Sequence, residues 1–319
     1  MARYVRAPKE TTEYHTNEFG CLPVLLNGRI KPMVTLARYA LLQIAGKHTI
    51  LDRVYPGGLE AEGRADKLSA LDWLIELGTD SAAADSRFIF RAHHPEVIAE
   101  LGLEEQGLEK GGLFWFAYDG LRTQRPAIVA AYSRASQIDA KERSHQDQQY
   151  FELGSDISLY ERLKNSLAPE GSEDFRAELD GLLANVALAR EELRKEEAGE
   201  ASDPAVMDAL NRDLDTYFMA SSMAYSRPVP PDPSRPGAEW SNLHTNVLDA
   251  LQVGALPRPV SLYAEMLSGV QTDDAKRFND AVATYQGELA QDYPKALSKA
   301  KAEFFFNHWK PFGNATVYY

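Results

Sequence analysis

The sequence predicts a mainly α protein: a multi-helix domain with at most a small two-stranded sheet. Three observations lead there. Apolar residues recur at helical spacing over most of 120–308. Helix start signals punctuate that stretch, as at Asp203-Pro204, where a capping carboxylate precedes a proline whose missing N–H costs nothing. The stretches that read as strands are short, namely Phe88-Ile89-Phe90-Arg91 and Leu113-Phe114-Trp115-Phe116, and two such strands alone are marginal. The expectation is roughly eight or more helices.

Taken in order, residues 1–20 are polar and aperiodic and read as an irregular arm. Cys21 to Leu26 is apolar, and Asn27-Gly28 signals a turn. Arg29-Ile30-Lys31-Pro32 then opens a helix with Pro32 in its first turn, Leu36, Tyr39, Ala40 and Gln43 or Ile44 on one face, and Gly46 as its stop. Further helices are expected over 64–77, from Pro95 to Gly102, and over 122–137 and 139–166, either as one broken helix or as two in succession. Others should span 173–198, 204–225, 240–253, 259–269, 272–291 and 294–308. Five of the 17 prolines fall within 227–237, which excludes a helix or a central strand there. The domain reading is an arm at 1–20, a helical domain at 21–226, a proline-rich loop at 227–239, C-terminal helices at 240–308 on the same domain, and a membrane-proximal segment from 309 to 319.

Composition bounds the function. With 319 residues, 44% of them hydrophobic, the chain can bury a core. Its 47 acidic residues outnumber the 34 basic ones, for a net charge of -13, which argues against a general nucleic-acid binder. A single cysteine, Cys21, excludes an internal disulfide and a multi-thiolate zinc site. There is no apolar span of membrane length and no leader-like N-terminus. Phosphate-binding glycine motifs, a nucleophile elbow, metal-ligand histidine spacings and a Cys-x-x-Cys-His haem attachment motif are all missing. No catalytic residue and no metal ligand is singled out.

Several segments, in order, carry a resemblance. They are Leu22-Pro23-Val24 with Asn27-Gly28-Arg29-Ile30-Lys31-Pro32 and Thr35-Leu36-Ala37-Arg38, then Phe90 to Val97 with Leu101-Gly102-Leu103 and Phe116-Ala117-Tyr118. Trp240 to Leu243, Tyr263 to Leu267 and Phe278-Asn279 follow, and Glu303 to Phe312 closes the series. This order resembles the large system II cytochrome c biogenesis proteins of the CcsA/ResB type, in which the closing segment leads into a membrane helix. The resemblance covers roughly 20–319. It implies an extracytoplasmic (periplasmic) domain tethered by flanking membrane helices, acting beside apocytochrome c or a sister assembly subunit. Haem is handled by the full-length protein, and no cofactor is expected in this fragment, since the family's tryptophan-rich haem motif and membrane histidines are absent.

Against that background three of the seven histidines are weak haem candidates. His93 and His94 lie between a strand and a helix; the plainer reading is that His94 caps the helix and His93 sits at the surface. His308 lies among Phe304, Phe305, Phe306 and Trp309, which fits a membrane-interface aromatic belt as well. Arg29 and Lys31 place two cations before a helix, as an anion or partner contact or, preferably, with Arg29 paired to an internal acid that locks the arm to the core. The resulting expectation is an interaction module that positions apocytochrome or a subunit. The alternative is a soluble helical enzyme or ligand-binding protein with an unrecognised pocket.

Overall fold

The computed structural model describes residues 13–51, 67–234 and 237–309. Of the arm expected over 1–20, residues 1–12 lie outside the described residues, and the rest is not irregular throughout, since Thr16–Gly20 forms a short helix; of the membrane-proximal segment over 309–319, residues 310–319 lie outside the described residues. The protein is mainly α, 63% helical with 14 helices among the described residues, and its sheets are small and antiparallel. The chain divides into two compact units, Met1–Leu36 with Leu163–Tyr319, and Ala37–Arg162. Residues 163–226 thus group with the C-terminal helices and with the N-terminal hairpin. Among the described residues no helix is long and apolar enough to cross a membrane.

The first unit opens with helix α1 (Thr16–Gly20), strands β1 (Pro23–Leu26) and β2 (Arg29–Pro32), and the start of α2 (Met33–Ala45). β1 and β2 form a hairpin in which Leu26 faces Arg29 and Pro23 faces Pro32. Asn27 and Gly28 both have positive φ, 48° and 75°, the geometry of the two-residue turn that Asn-Gly favours. This corrects the expected helix over Arg29–Pro32. The turn sends the chain back along β1, and the helix begins one residue later, at Met33, whose N–H donates to the Leu22 carbonyl at 2.9 Å. The buried stripe of α2 is Met33, Leu36, Ala37, Ala40, Leu41 and Ile44. Tyr39, assigned to that face from sequence, is 70% exposed on the other side.

The second unit pairs β3 (Thr49–Leu51) with β4 (Lys67–Ser69). Ser69 caps α3 (Ala70–Thr79) by accepting the Asp72 N–H, and Asp80 caps α4 (Ser81–Asp85) through Ala83. Then come β5 (Phe90–Ala92), α5 (Pro95–Glu100), β6 (Leu108–Lys110), β7 (Leu113–Phe116), α6 (Tyr118–Leu121), α7 (Arg125–Ser136) and α8 (His145–Lys164). The expected pairing of the two aromatic runs is present, with Phe90 opposite Phe116, and β6 adds a third strand on the far side of β7.

The remaining helices of the first unit are α9 (Phe175–Glu197), α10 (Pro204–Met223), α11 (Leu243–Val253), α12 (Arg258–Gln271), α13 (Ala275–Asp292) and α14 (Pro294–Trp309). Asp203 caps α10 through the Ala205 N–H, as the sequence indicates. α12 and α13 pack closely, because Gly269 lets the two backbones meet: a Cβ there would lie 2.6 Å from the Phe278 nitrogen. Around this contact Phe19, Tyr263, Phe278 and Tyr285 form an aromatic core. The start of the proline-rich segment, 227–231, is extended, with bridges from Arg227 to Leu25 and from Val229 to Ser241.

Candidate functional site

The hairpin and the last helix meet in a polar joint. Lys31 Nζ lies 3.2 Å from both carboxylate oxygens of Glu303, and Thr35 Oγ1 donates to Glu303 Oε1 at 2.9 Å. Asn307 Nδ2 in turn donates to Thr35 Oγ1 at 3.0 Å. The four side chains are half-buried or buried, so each bond is partly shielded from water. One helical turn separates Glu303 from Asn307, which lets a single threonine serve both. Arg29 lies at the hairpin turn, exposed, and its side chain makes no hydrogen bond or ion pair with a described residue. Among the described residues the cation that pairs with an internal acid is therefore Lys31 and not Arg29: Lys31, further along β2, is half-buried and reaches Glu303 on α14, whereas Arg29 stands exposed beside the turn.

The histidines are not brought together into one site. His93 is exposed, and its backbone N–H donates to Gln149 Oε1 at 3.0 Å. His94 occupies the N-cap position of α5, but its side chain makes no cap bond, and its Nδ1 is buried without a partner. The two rings stand 6.5 Å apart, tilted by 53°. His308 is exposed near the end of α14, beside Phe306, which is 48% exposed.

Sequence reasoning missed the most densely bonded site, a polar network inside the second unit. Glu161 accepts the Tyr118 hydroxyl at 2.8 Å and is bridged by two nitrogens of Arg125. Asp85, only 1% exposed, accepts the Tyr160 hydroxyl at 2.8 Å and Arg122 Nη2 at 2.5 Å. The Tyr118 and Tyr160 rings are 5.0 Å apart. Burial, reinforced by the carboxylates, pushes both phenols far above their ordinary range, so they act as fixed donors. Asp85 and Tyr160 are 75 positions apart, so no local motif marks the pair. The chemistry is that of a structural clamp: each carboxylate is held by one phenol and one guanidinium.

Two clefts lie in the first unit. The larger cleft, ≈ 790 Å³, runs beside the proline loop and is lined by Pro231, Asp249, Val253, Arg258, Glu288 and Tyr293 among others. Arg258 is paired there with Glu288 at 2.9 Å. A smaller one, ≈ 370 Å³, lies against α9 and α10.

The class these features define is a mainly α protein with a bundled helical unit and an α-plus-small-sheet unit. No protein-family model matches the sequence, no curated protein is detectably similar to it, and no solved structure matches its fold.

Proposed function

We propose that the chain is a non-catalytic extracytoplasmic module of a cytochrome c assembly protein, which positions apocytochrome c or a sister assembly subunit beside the membrane site of haem attachment. One observation carries the reading. The opening and closing segments on which the system II resemblance rests meet in the joint of Lys31, Thr35, Glu303 and Asn307, about as far apart in sequence as the fold allows. A shared joint gives a physical reason for both segments to keep their residue types. Lys31 serves the joint, and Arg29 at the hairpin turn is the cation left for a carboxylate on the partner.

The reading has two tests. In the full-length protein Arg29→Glu should abolish cytochrome c maturation without lowering the melting temperature; normal maturation would count against it. The coding sequence after Tyr319 should continue into about 20 apolar residues, the length of a membrane helix, and a stop codon there would sink the tethered form of the proposal.

In this proposal haem is held elsewhere in the full-length protein. The 319-residue chain should therefore give no sharp Soret band in a haem titration. A band that disappears with His93→Ala or His94→Ala would place haem on this module. A second reading, a ligand-binding protein, is favoured by the two clefts of the first unit.

A further inference from the structure

One face of the small three-stranded sheet in the second unit gathers positive charge, although the whole chain carries -13. Arg91 on β5 stands directly opposite Trp115 on β7, and Leu108 on β6 stands opposite Trp115 on its other side, so the three side chains share that face. Lys110, opposite Leu113, joins them by strand alternation. The residues that follow α2 lie against the same face. Lys47 Nζ sits 4.2 Å from the centre of the Trp115 ring. Arg91 packs on Gly46, whose φ is 64°, and a Cβ there would overlap Arg91 Nη1. Adjacent residues 46 and 47 thus bring a guanidinium and an ammonium to one indole.

Two features point to an occupant. The first is charge without a counterpart. Neither Lys47 nor Arg91 forms an ion pair with a described residue. Arg91 donates its Nε to the Ile44 carbonyl at 3.3 Å, which leaves its terminal nitrogens for another acceptor. The nearby carboxylate, Asp156, instead accepts from Gln43 at 3.1 Å. Like charges held together repel; burial first, then Lys110, Arg91 and Lys67, lowers the Lys47 pKa. The second feature is Trp115. It is only 6% exposed, it is directed to this face, and its indole N–H has no acceptor. A buried donor left unbonded is costly unless something supplies the acceptor. Lys47 is exposed on a flexible four-carbon stem, so its ammonium can lift from the ring as an anion enters.

We propose that this face binds a dianionic phosphate group, held by the Lys47 ammonium, the terminal nitrogens of Arg91 and the indole N–H of Trp115. All three are donors and none accepts, which suits an oxyanion. Two cations match a doubly charged phosphate better than a singly charged carboxylate, and a guanidinium edge fits two phosphate oxygens at once. Leu108 and Leu113, half-buried on the same face, offer an apolar edge to an organic body. The phosphate comes from the free inorganic ion or from a small organic monoester. The inference does not depend on the assembly role proposed above.

Isothermal titration of the full chain tests it with inorganic phosphate and phenyl phosphate at constant ionic strength and about pH 7.5, where a phosphate monoester is largely doubly charged. Benzenesulfonate, of similar size with a single charge, is the control. The expected result is saturable binding of at least one phosphate probe, at least about tenfold tighter than the control. Lys47→Ala and Trp115→Phe should each weaken it about tenfold, the loss of one hydrogen bond to a charged group. Lys299→Ala, at an exposed lysine of the first unit, should leave it unchanged. Tighter binding of phenyl phosphate assigns the site to an organic monoester, and equal or tighter binding of inorganic phosphate assigns it to the free ion. No saturation with either phosphate, equal binding of benzenesulfonate, or an affinity in Lys47→Ala and Trp115→Phe no weaker than in Lys299→Ala would overturn the proposal.

Discussion

Tyr160 and Tyr263 are both fully buried tyrosines, one in each unit, and their hydroxyls have opposite fates. Tyr160 donates to Asp85, which is also held by Arg122. Tyr263, in the aromatic core of the first unit, has no partner for its hydroxyl, and neither ring nitrogen of the buried His244 makes a hydrogen bond of normal geometry. The second unit has unpaired groups too, the indole N–H of Trp73 and Trp115, but its buried carboxylates are bonded. The contrast teaches that buried polarity does two different things here. In the second unit it is a mutual arrangement whose members depend on one another. At Tyr263 and His244 of the first unit it is a standing cost that the aromatic packing offsets.

Substitutions can break that comparison. The largest effect should come from Asp85→Ala, which removes a nearly fully buried acceptor and strands both the Tyr160 hydroxyl and one guanidinium bond. A loss of about 3 kcal/mol in urea unfolding is expected; a loss under 1 kcal/mol would deny that the network is cooperative.

Acid should act next, and in opposite directions on the two units. Burial pushes the His244 pKa down from 6.5 to about 4, only partly opposed by the Asn165 backbone. The unfolded chain binds the proton more readily between those values, so the first unit loses stability as pH falls from 6.5 through about 4, by roughly 3 kcal/mol in all. Asp156 in the second unit is pushed up to about 7, chiefly by burial and slightly by Glu152, against the pull of Gln43 and Arg91. Its native state binds the proton more readily, so its contribution is present at low pH and is lost as pH rises through about 7. Amide exchange resolved by residue should show protection in 243–289 falling and protection around 150–160 rising as pH is lowered from 7 to 5. His244→Leu should flatten the first trend alone.

Smaller still is the paired deletion of one oxygen. Tyr160→Phe should cost about 1 kcal/mol, whereas Tyr263→Phe should gain about 1 kcal/mol, because it removes an oxygen that has no partner. Equal signs for the two would erase the distinction between the units.

The fold was legible where local chemistry decides it. Asp203 caps its helix, the prolines of 228–231 lie in extended chain, and Phe90 pairs with Phe116 across the small sheet. Errors arose where two signals compete. Pro32 suits a helix start, but Asn27-Gly28 supplies two positive φ values and makes its neighbours a hairpin. Tyr39 keeps helical spacing with Leu36, yet a spacing of three alone does not fix which face is buried. The sites were less legible than the fold. The Lys31–Glu303 joint and the Asp85–Tyr160 bond join residues 272 and 75 positions apart, and no local pattern announces such a contact.

The joint itself separates structure from recognition, with the smallest expected change in stability. Lys31→Met should cost about 1 kcal/mol, since the ion pair with Glu303 is only partly shielded. Arg29→Ala, at an exposed position, should stay within about 0.5 kcal/mol of the parent.

The proposed assembly role is tested most directly by covalent haem attachment to cytochrome c in cells whose only copy of the full-length protein carries Arg29→Glu, taken together with the melting temperature of the purified variant. The account predicts an unchanged melting temperature and haem attachment reduced to background. Normal attachment, or a loss of attachment accompanied by a lower melting temperature, would contradict a partner-facing role for Arg29.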